Sequence, residues 1–66
     1  MSKVKFRCAL YATNSTVSNA KFNWSVSGLQ AALALILRYQ KKGWYVKAAY
    51  LQKIYDGHVM QSKRIL

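Results

Sequence analysis

Few side chains in this sequence of 66 residues could carry acid–base, nucleophilic or metal chemistry. General acid–base catalysis uses paired titratable groups, and the candidates are Asp56 and His58, two positions apart. Asp56 is explained by the Asp56-Gly57 dipeptide, which suits a tight turn. The single cysteine, Cys8, and the single histidine are too few soft ligands for a structural zinc site, and no Gly-rich phosphate loop occurs. We therefore expect a non-enzymatic protein with no cofactor, metal or small-molecule substrate.

The strongest signal in the sequence is its charge. Eleven Lys and Arg residues against one acidic residue give a formal net charge of +10. The cations recur along the whole chain, and 53% of the residues are hydrophobic, which is typical of a folded module rather than a basic tail. A surface that only keeps a protein in solution mixes both signs of charge. The near absence of acids therefore predicts a polyanionic partner, either nucleic acid or an acidic protein surface.

The apolar segments are too short to predict a membrane span. The longest run, 29–37, is interrupted by Gln30 and followed by Arg38. The N-terminal sequence Met-Ser-Lys-Val-Lys lacks the order of a signal peptide. We expect a single domain over residues 1–66, located in the cytoplasm, with no membrane partner.

Alternating polar and apolar residues predict two strands in the first part of the chain. Apolar side chains occupy every second position from Val4 to Ala12, and alternation resumes from Ala20 to Val26. Residues 13–19 between them are small and polar. The two strands, 3–12 and 20–26, therefore form a hairpin with a long loop.

One helix over about 28–42 is predicted by apolar residues at helical spacing, namely Leu29, Ala32, Leu33, Ile36 and Leu37. Ser25 or Ser27 would cap its first turn, and Gly43 would end it in the left-handed conformation. Leu29, Leu33 and Ile36 are expected to face the sheet.

A second hairpin is predicted after the helix. The segment 44–55 is aromatic and β-branched, and Asp56-Gly57 is a strong two-residue turn signal. A type I′ turn there predicts the cross-strand pairs Tyr55–His58, Ile54–Val59, Lys53–Met60, Tyr50–Lys63 and Ala48–Ile65. A bulge near Tyr50-Leu51 would reverse the outer half of this pairing.

These elements predict an α+β fold of order β-β-α-β-β, with one helix packed on one face of a four-stranded antiparallel sheet. A right-handed crossover gives the spatial order 2-1-3-4. The side chains expected beneath the helix are Val4, Phe6, Cys8, Leu10, Phe22, Trp24, Val46, Ala48 and Ile54, with Val59 and Ile65 on the same side. Both tryptophans are expected to anchor the core, and Cys8 to be a small buried hydrophobe.

The opposite face of the sheet then carries most of the positive charge and several tyrosines. Cations on a pleated surface bind phosphates, and aromatic rings among them stack bases. The predicted nucleic-acid-binding residues are Lys3, Lys5, Arg7, Tyr11, Lys21, Tyr45, Lys47, Lys53, Tyr55, His58 and Arg64, with Asn23 and Ser25 on the same face. The alternative is that these lysines solvate the sheet and its tyrosines pack across strands.

The outer surface of the helix offers a second candidate interface. Its predicted docking residues are Ala31, Ala34, Leu35 and Arg38, facing a partner or a second copy in a homodimer. The alternative is that Leu35 covers the sheet edge and the alanines simply favour the helix.

No motif assigns the chain to a family. Its length and strand–helix order resemble those of small phage-encoded proteins, some of which inhibit host RNA polymerase and others CRISPR complexes. The resemblance implies a second hypothesis, an accessory or inhibitor protein that docks on an acidic surface of a host protein or nucleoprotein complex. Nucleic-acid binding ranks first on charge, and peripheral membrane binding ranks last because the core needs the apolar face of the helix.

Overall fold

A computed structural model describes residues 3–66. Five elements follow one another: β1 (Val4–Thr13), β2 (Ala20–Val26), α1 (Leu29–Lys41), β3 (Tyr45–Tyr55) and β4 (His58–Arg64). The sheet order is β2-β1-β3-β4 and every pair is antiparallel, which confirms the predicted α+β fold. Residues 1–2, which entered the expectation about a signal peptide, lie outside the described residues.

The polar loop between β1 and β2 is closed by its first residue. The Asn14 side-chain oxygen accepts hydrogen bonds from the backbone N–H groups of Thr16 and Val17, at 2.9 and 2.7 Å. The backbone N–H of Asn14 in turn donates to the Val17 carbonyl at 2.9 Å. Asn favours such turns because its side chain bonds to the backbone a few residues ahead.

Helix α1 has the predicted length within one residue at each end. The predicted cap is wrong: Gly28 occupies the N-cap in an extended conformation, and neither Ser25 nor Ser27 caps the first turn. Gly43 follows the helix at φ 94°, which confirms the left-handed stop.

The turn between β3 and β4 is the predicted two-residue hairpin. Asp56 and Gly57 have φ values of 51° and 79°, and positive φ at both positions is what a type I′ turn requires. The predicted pairs Tyr55–His58 and Ile54–Val59 are confirmed.

A bulge in β3 breaks the predicted alternation. Tyr11 of β1 pairs with Ala48, but the next residue, Ala12, pairs with Val46, so Lys47 is an extra residue in β3. An extra residue reverses the side to which the following side chains point. Ala48 and Ile54, predicted beneath the helix, therefore lie on the opposite side of the sheet.

A second bulge lies in β4, where Met60 is the extra residue between Val59 and Gln61. Val59 lies opposite Ile54 and so also faces away from the helix, contrary to prediction. The three outer predicted pairs are wrong. Lys53 pairs with Gln61 instead of Met60, and Tyr50 pairs with Arg64 instead of Lys63. Ile65 lies opposite Ala49 instead of Ala48, and its N–H donates to the Ala49 carbonyl at 2.8 Å.

The core between α1 and the sheet is built mainly from small side chains. Its buried cluster consists of Cys8, Leu10, Ala12, Ala32, Ile36, Val46 and Ala49. Partly buried residues around it are Phe22, Val26, Leu35, Tyr39, Trp44, Leu51 and Ile65. Leu10 and Cys8 are the largest fully buried side chains, so the core contains no fully buried aromatic residue.

The rotation of α1 differs from the prediction. Ile36 and Ala32 of the predicted apolar set are buried, but Leu29 and Leu33 are exposed, and Leu35 packs against the core instead. Ala32 has no exposed surface and belongs to the same buried cluster as the small residues Ala12 and Ala49.

Aromatic side chains close the core at the end of α1. The Phe22 ring lies 4.8 Å from Tyr39 and 5.2 Å from Trp44 between centroids. The Trp24 indole N–H donates to the Tyr39 hydroxyl at 2.8 Å, yet Trp24 is 50% exposed because it lies on the edge strand β2. Trp44 packs against the core as predicted, whereas Trp24 covers its margin.

The helix covers about half the length of the molecule. Thirteen residues give a helix of about 20 Å, whereas the longest dimension of the fold is 42 Å. The β3–β4 hairpin tip (residues 53–61) extends beyond the last β1–β2 pair, Phe6–Val26. Within residues 3–66 no helix is long and apolar enough to cross a membrane.

Candidate nucleic-acid interface

We call the side of the sheet opposite α1 the open face. Strand register places on it most of the predicted binding residues, namely Lys5, Arg7, Tyr11, Lys21, Tyr45, Lys47 and Arg64, together with Asn23 and Ser25. Lys3 precedes β1 and is exposed. The sequence pattern in β1 and β2 therefore brings the expected residues to one surface.

Three predicted residues lie on the other side of the sheet. Lys53 pairs with Phe6 of β1, and Tyr55 pairs with both Val4 and His58, so all of them point to the helix side. The extra residue in β3 is the cause, because every later side chain of that strand is reversed. The predicted open-face positions of Lys53, Tyr55 and His58 are therefore wrong.

Two tyrosines occupy the centre of the open face. The Tyr11 and Tyr50 rings meet edge to face, with centroids 5.9 Å apart and planes at 89°. The Lys21 ammonium lies 5.6 Å from the Tyr11 centroid, within the range of a cation–π contact. Ala9, opposite Tyr50 in the ladder, is only 2% exposed although it lies outside the core cluster under α1. The open face thus has a small packed layer of its own.

Arg7 is held in place at one end of this layer. Its Nε–H donates to the Gln52 side-chain oxygen at 2.8 Å, and both residues are partly buried. The bond fixes the plane of the guanidinium group, whose terminal Nη groups lie beyond Nε. A planar fork of donors held in one orientation suits phosphate recognition.

Two adjoining concavities follow the open face. One is lined by Tyr11, Ala12, Asn19, Ala20, Lys21 and Lys47, and the other by Tyr11, Lys47, Ala48, Tyr50, Gln52 and Ser62. Tyr11 and Lys47 belong to both. Tyr45, 71% exposed and paired with Thr13, presents the most accessible ring of this side.

The electrostatics of the open face have one sign. The one acidic residue of the chain, Asp56, lies in the β3–β4 turn, so no acidic side chain of residues 3–66 lies among the open-face cations. Both edge strands contribute cations, Lys21 on β2 and Arg64 on β4, and so do the two central strands. Their fields add over the whole width of the sheet.

Sequence reasoning missed Tyr50, Gln52 and Ser62, which the structure adds to the open face. Uninterrupted alternation through β3 places Tyr50 and Gln52 on the helix side, so the bulge is what brings them to the open face. Ser62 of β4 falls on the open side by alternation but was not among the predicted binding residues. No glycine stands at 46–48 to mark the bulge at Lys47.

The predicted docking residues on α1 are also brought together. Ala31, Ala34, Leu35 and Arg38 line a concavity beside β2, with Trp24 and residues 25–27 on its other wall. Leu35 packs against the core cluster, so it covers the sheet edge, which was the structural alternative.

The titratable candidates lie in two parts of the fold, with Cys8 in the core and Asp56 and His58 at the β3–β4 turn. Cys8 is a buried free thiol, and burial raises its pKa because the thiolate would lose its hydration. Within residues 3–66, no three His, Cys, Asp or Glu side chains lie close enough together to hold a metal ion.

The fold and this surface define a small α+β domain with one helix on an antiparallel sheet and a cationic, aromatic open face. No known family model, curated protein or solved structure matches the chain.

Proposed function

We propose that the protein is a non-enzymatic nucleic-acid-binding module that uses its open face. The observation that supports this most is the collection on one sheet surface of five cations and three tyrosines without an acidic side chain. These residues are Lys5, Arg7, Lys21, Lys47 and Arg64, with Tyr11, Tyr45 and Tyr50. A cytoplasmic location belongs to the same proposal.

The arrangement favours single-stranded nucleic acid as the ligand. Unpaired bases stack on aromatic side chains, and the phosphates of the same strand need cations beside those rings. The exposed Tyr45 ring is available for stacking, and Lys21, Lys47 and the oriented Arg7 lie where a backbone crossing the sheet would pass. A duplex would contact the cations but would leave the tyrosines unused.

The direct test is fluorescence anisotropy with single-stranded DNA, duplex DNA and duplex RNA of equal length over a salt series. We expect single-stranded DNA to bind best, with micromolar or tighter affinity near physiological salt. The logarithm of the binding constant should fall linearly with the logarithm of salt concentration, by a slope that corresponds to several phosphates. Weak binding that is equal for all three ligands and is lost at physiological salt would contradict the proposal. The positive charge would then be expected to bind an acidic protein surface.

A charge-matched pair of variants locates the site. The triple substitution Lys5→Ser, Arg7→Ser and Lys47→Ser removes three open-face cations, and Lys41→Ser, Lys53→Ser and Lys63→Ser removes three exposed cations elsewhere. We expect the first variant to lose at least about 10-fold in affinity and several-fold more than the second, because local phosphate contacts are lost. Equal losses would mean that overall charge alone drives binding. Thermal denaturation of both variants checks that the fold persists.

A further inference from the structure

A second surface lies on α1 itself, where three leucines remain exposed. Leu29, Leu33 and Leu37 are four residues apart and so share one side of the helix. Their exposed fractions are 47%, 42% and 57%, although leucine is among the residues most often buried. We call these three residues the leucine flank. A contiguous apolar surface of this kind marks an interaction site.

The fold leaves the leucine flank uncovered because of where α1 lies. Within residues 3–66, the helix contacts β1, β2 and β3 but not β4. Its opposite flank, with Ala31 and Ala34, lies beside β2. The leucines therefore lie over the β3–β4 side of the sheet, where β4 is exposed along its whole length.

Two cations belong to the elements on the side of the molecule where the leucine flank lies, one on α1 and one on β4. Lys41 follows Leu37 at the same four-residue spacing, in the last turn of α1. Lys63 of β4 points to the helix side of the sheet, where it pairs with Leu51. The one acidic residue of the chain, Asp56, lies in the β3–β4 turn.

We propose that the leucine flank binds an acidic amphipathic helix of a partner protein. Apolar residues at i, i+4 and i+8 match the apolar face of a second helix, and carboxylates beside that face would meet Lys41 and Lys63. A second copy of this chain carries the same +10 charge and brings no acidic helix, so like charges oppose self-association. This surface is separate from the open face and does not depend on nucleic-acid binding.

A synthetic peptide is a suitable probe. It comprises about three heptads with Leu at positions a and d and Glu at e and g, which gives an acidic amphipathic helix. One control peptide has Lys in place of Glu, and the other has Ser in place of Leu. In fluorescence anisotropy, we expect the acidic amphipathic peptide to bind at least about 10-fold more tightly than either control peptide.

Protein variants assign the binding to the flank. The double substitution Leu33→Ser and Leu37→Ser should weaken peptide binding at least about 10-fold, because burial of two leucines is lost. Both side chains are exposed, so the fold should persist. The matched control is Val59→Ser with Met60→Ser, two exposed apolar residues of the hairpin tip, which should leave peptide binding unchanged.

Two results would overturn the proposal. If the serine control peptide binds equally well, and the open-face variant with Lys5, Arg7 and Lys47 replaced loses that binding, the peptide is attracted by charge at the open face. If the protein sediments as a dimer and the Leu33/Leu37 variant as a monomer, the leucine flank is a self-association surface.

Discussion

The two faces of the sheet differ in the size and charge of their side chains. Beneath α1, the central positions are held by apolar residues without long side chains, such as Leu10, Ala12 and Ala49, all with almost no exposed surface. On the open face, the neighbouring positions carry long cationic and aromatic side chains, such as Arg7 and Tyr50. The same strands therefore contribute alternately to a thin core and to a broad polar surface.

This difference suggests that stability and binding are separated between the faces. Small residues on one side let a single helix lie close enough to exclude water with little core volume. Cations on the other side have no acidic side chain of residues 3–66 among them, so their charge is available to the ligand that we propose. A substitution on one face should therefore change mainly one of the two properties.

The largest expected effect tests this separation by truncating one side chain on each face. Leu10→Ala should destabilise the fold by about 2–5 kcal/mol, since it removes buried methyl groups and leaves a cavity. Tyr45→Ala removes a larger side chain from an exposed position and should change stability by no more than about 0.5 kcal/mol. Urea denaturation followed by circular dichroism measures both. A loss from Tyr45→Ala comparable with that from Leu10→Ala would show that the open face stabilises the fold.

How far the sequence predicts these faces depends on the strand. In β1 and β2 the alternation is uninterrupted, so the sides of Cys8, Leu10 and Phe22 follow directly from period two. In β3 the prediction fails after Lys47, because a bulge without glycine has no local sequence signal and yet reverses every later residue. The effect reaches the candidate site, from which Lys53 and Tyr55 are removed and to which Tyr50 is added.

The rotation of α1 shows a second limit of the sequence. The apolar spacing directs Leu29 and Leu33 against the sheet together with Ala32. In the structure, Ala32 is buried in one cluster with Ala12 and Ala49, whereas Leu29 and Leu33 are exposed. The rotation therefore follows small residues from two strands that are distant in sequence. Helical periodicity alone does not determine which side of α1 packs best against the sheet.

The β3–β4 turn offers an intermediate effect, since it fixes the register that assigns side chains to the two faces. Gly57→Val should destabilise by more than about 1 kcal/mol, because φ is +79° there and a β-branched residue resists positive φ. No heavy atom lies within 4 Å of an added Cβ, so strain in the backbone is the cause tested.

A matched variant at the same position isolates this cause. Gly57→Asn adds a side chain of similar size, but asparagine tolerates the left-handed region, so most of the stability should be retained. Thermal denaturation compares the two. Equal destabilisation by valine and asparagine would mean that side-chain bulk, and not the turn conformation, is responsible.

The smallest expected effect is a pH dependence of stability, which arises only from the side of the sheet beneath α1. Burial raises the pKa of the Cys8 thiol, so the folded protein keeps this proton at a pH where the unfolded chain has released it. The thiol's contribution to stability is therefore fully present below its ordinary pKa of about 8.5 and is lost as pH rises through the folded value. For one proton the slope cannot exceed about 1.4 kcal/mol per pH unit.

The measurement compares the wild type with Cys8→Ala by urea denaturation at pH 7.5 and 9.5. The variant lacks the thiol but keeps every other titrating group, so the difference in pH dependence between the two proteins belongs to Cys8. We expect the wild type to lose more stability than the variant between these pH values. Identical losses would show that water reaches the thiol, and the core beneath α1 would then be open where the small side chains are expected to seal it.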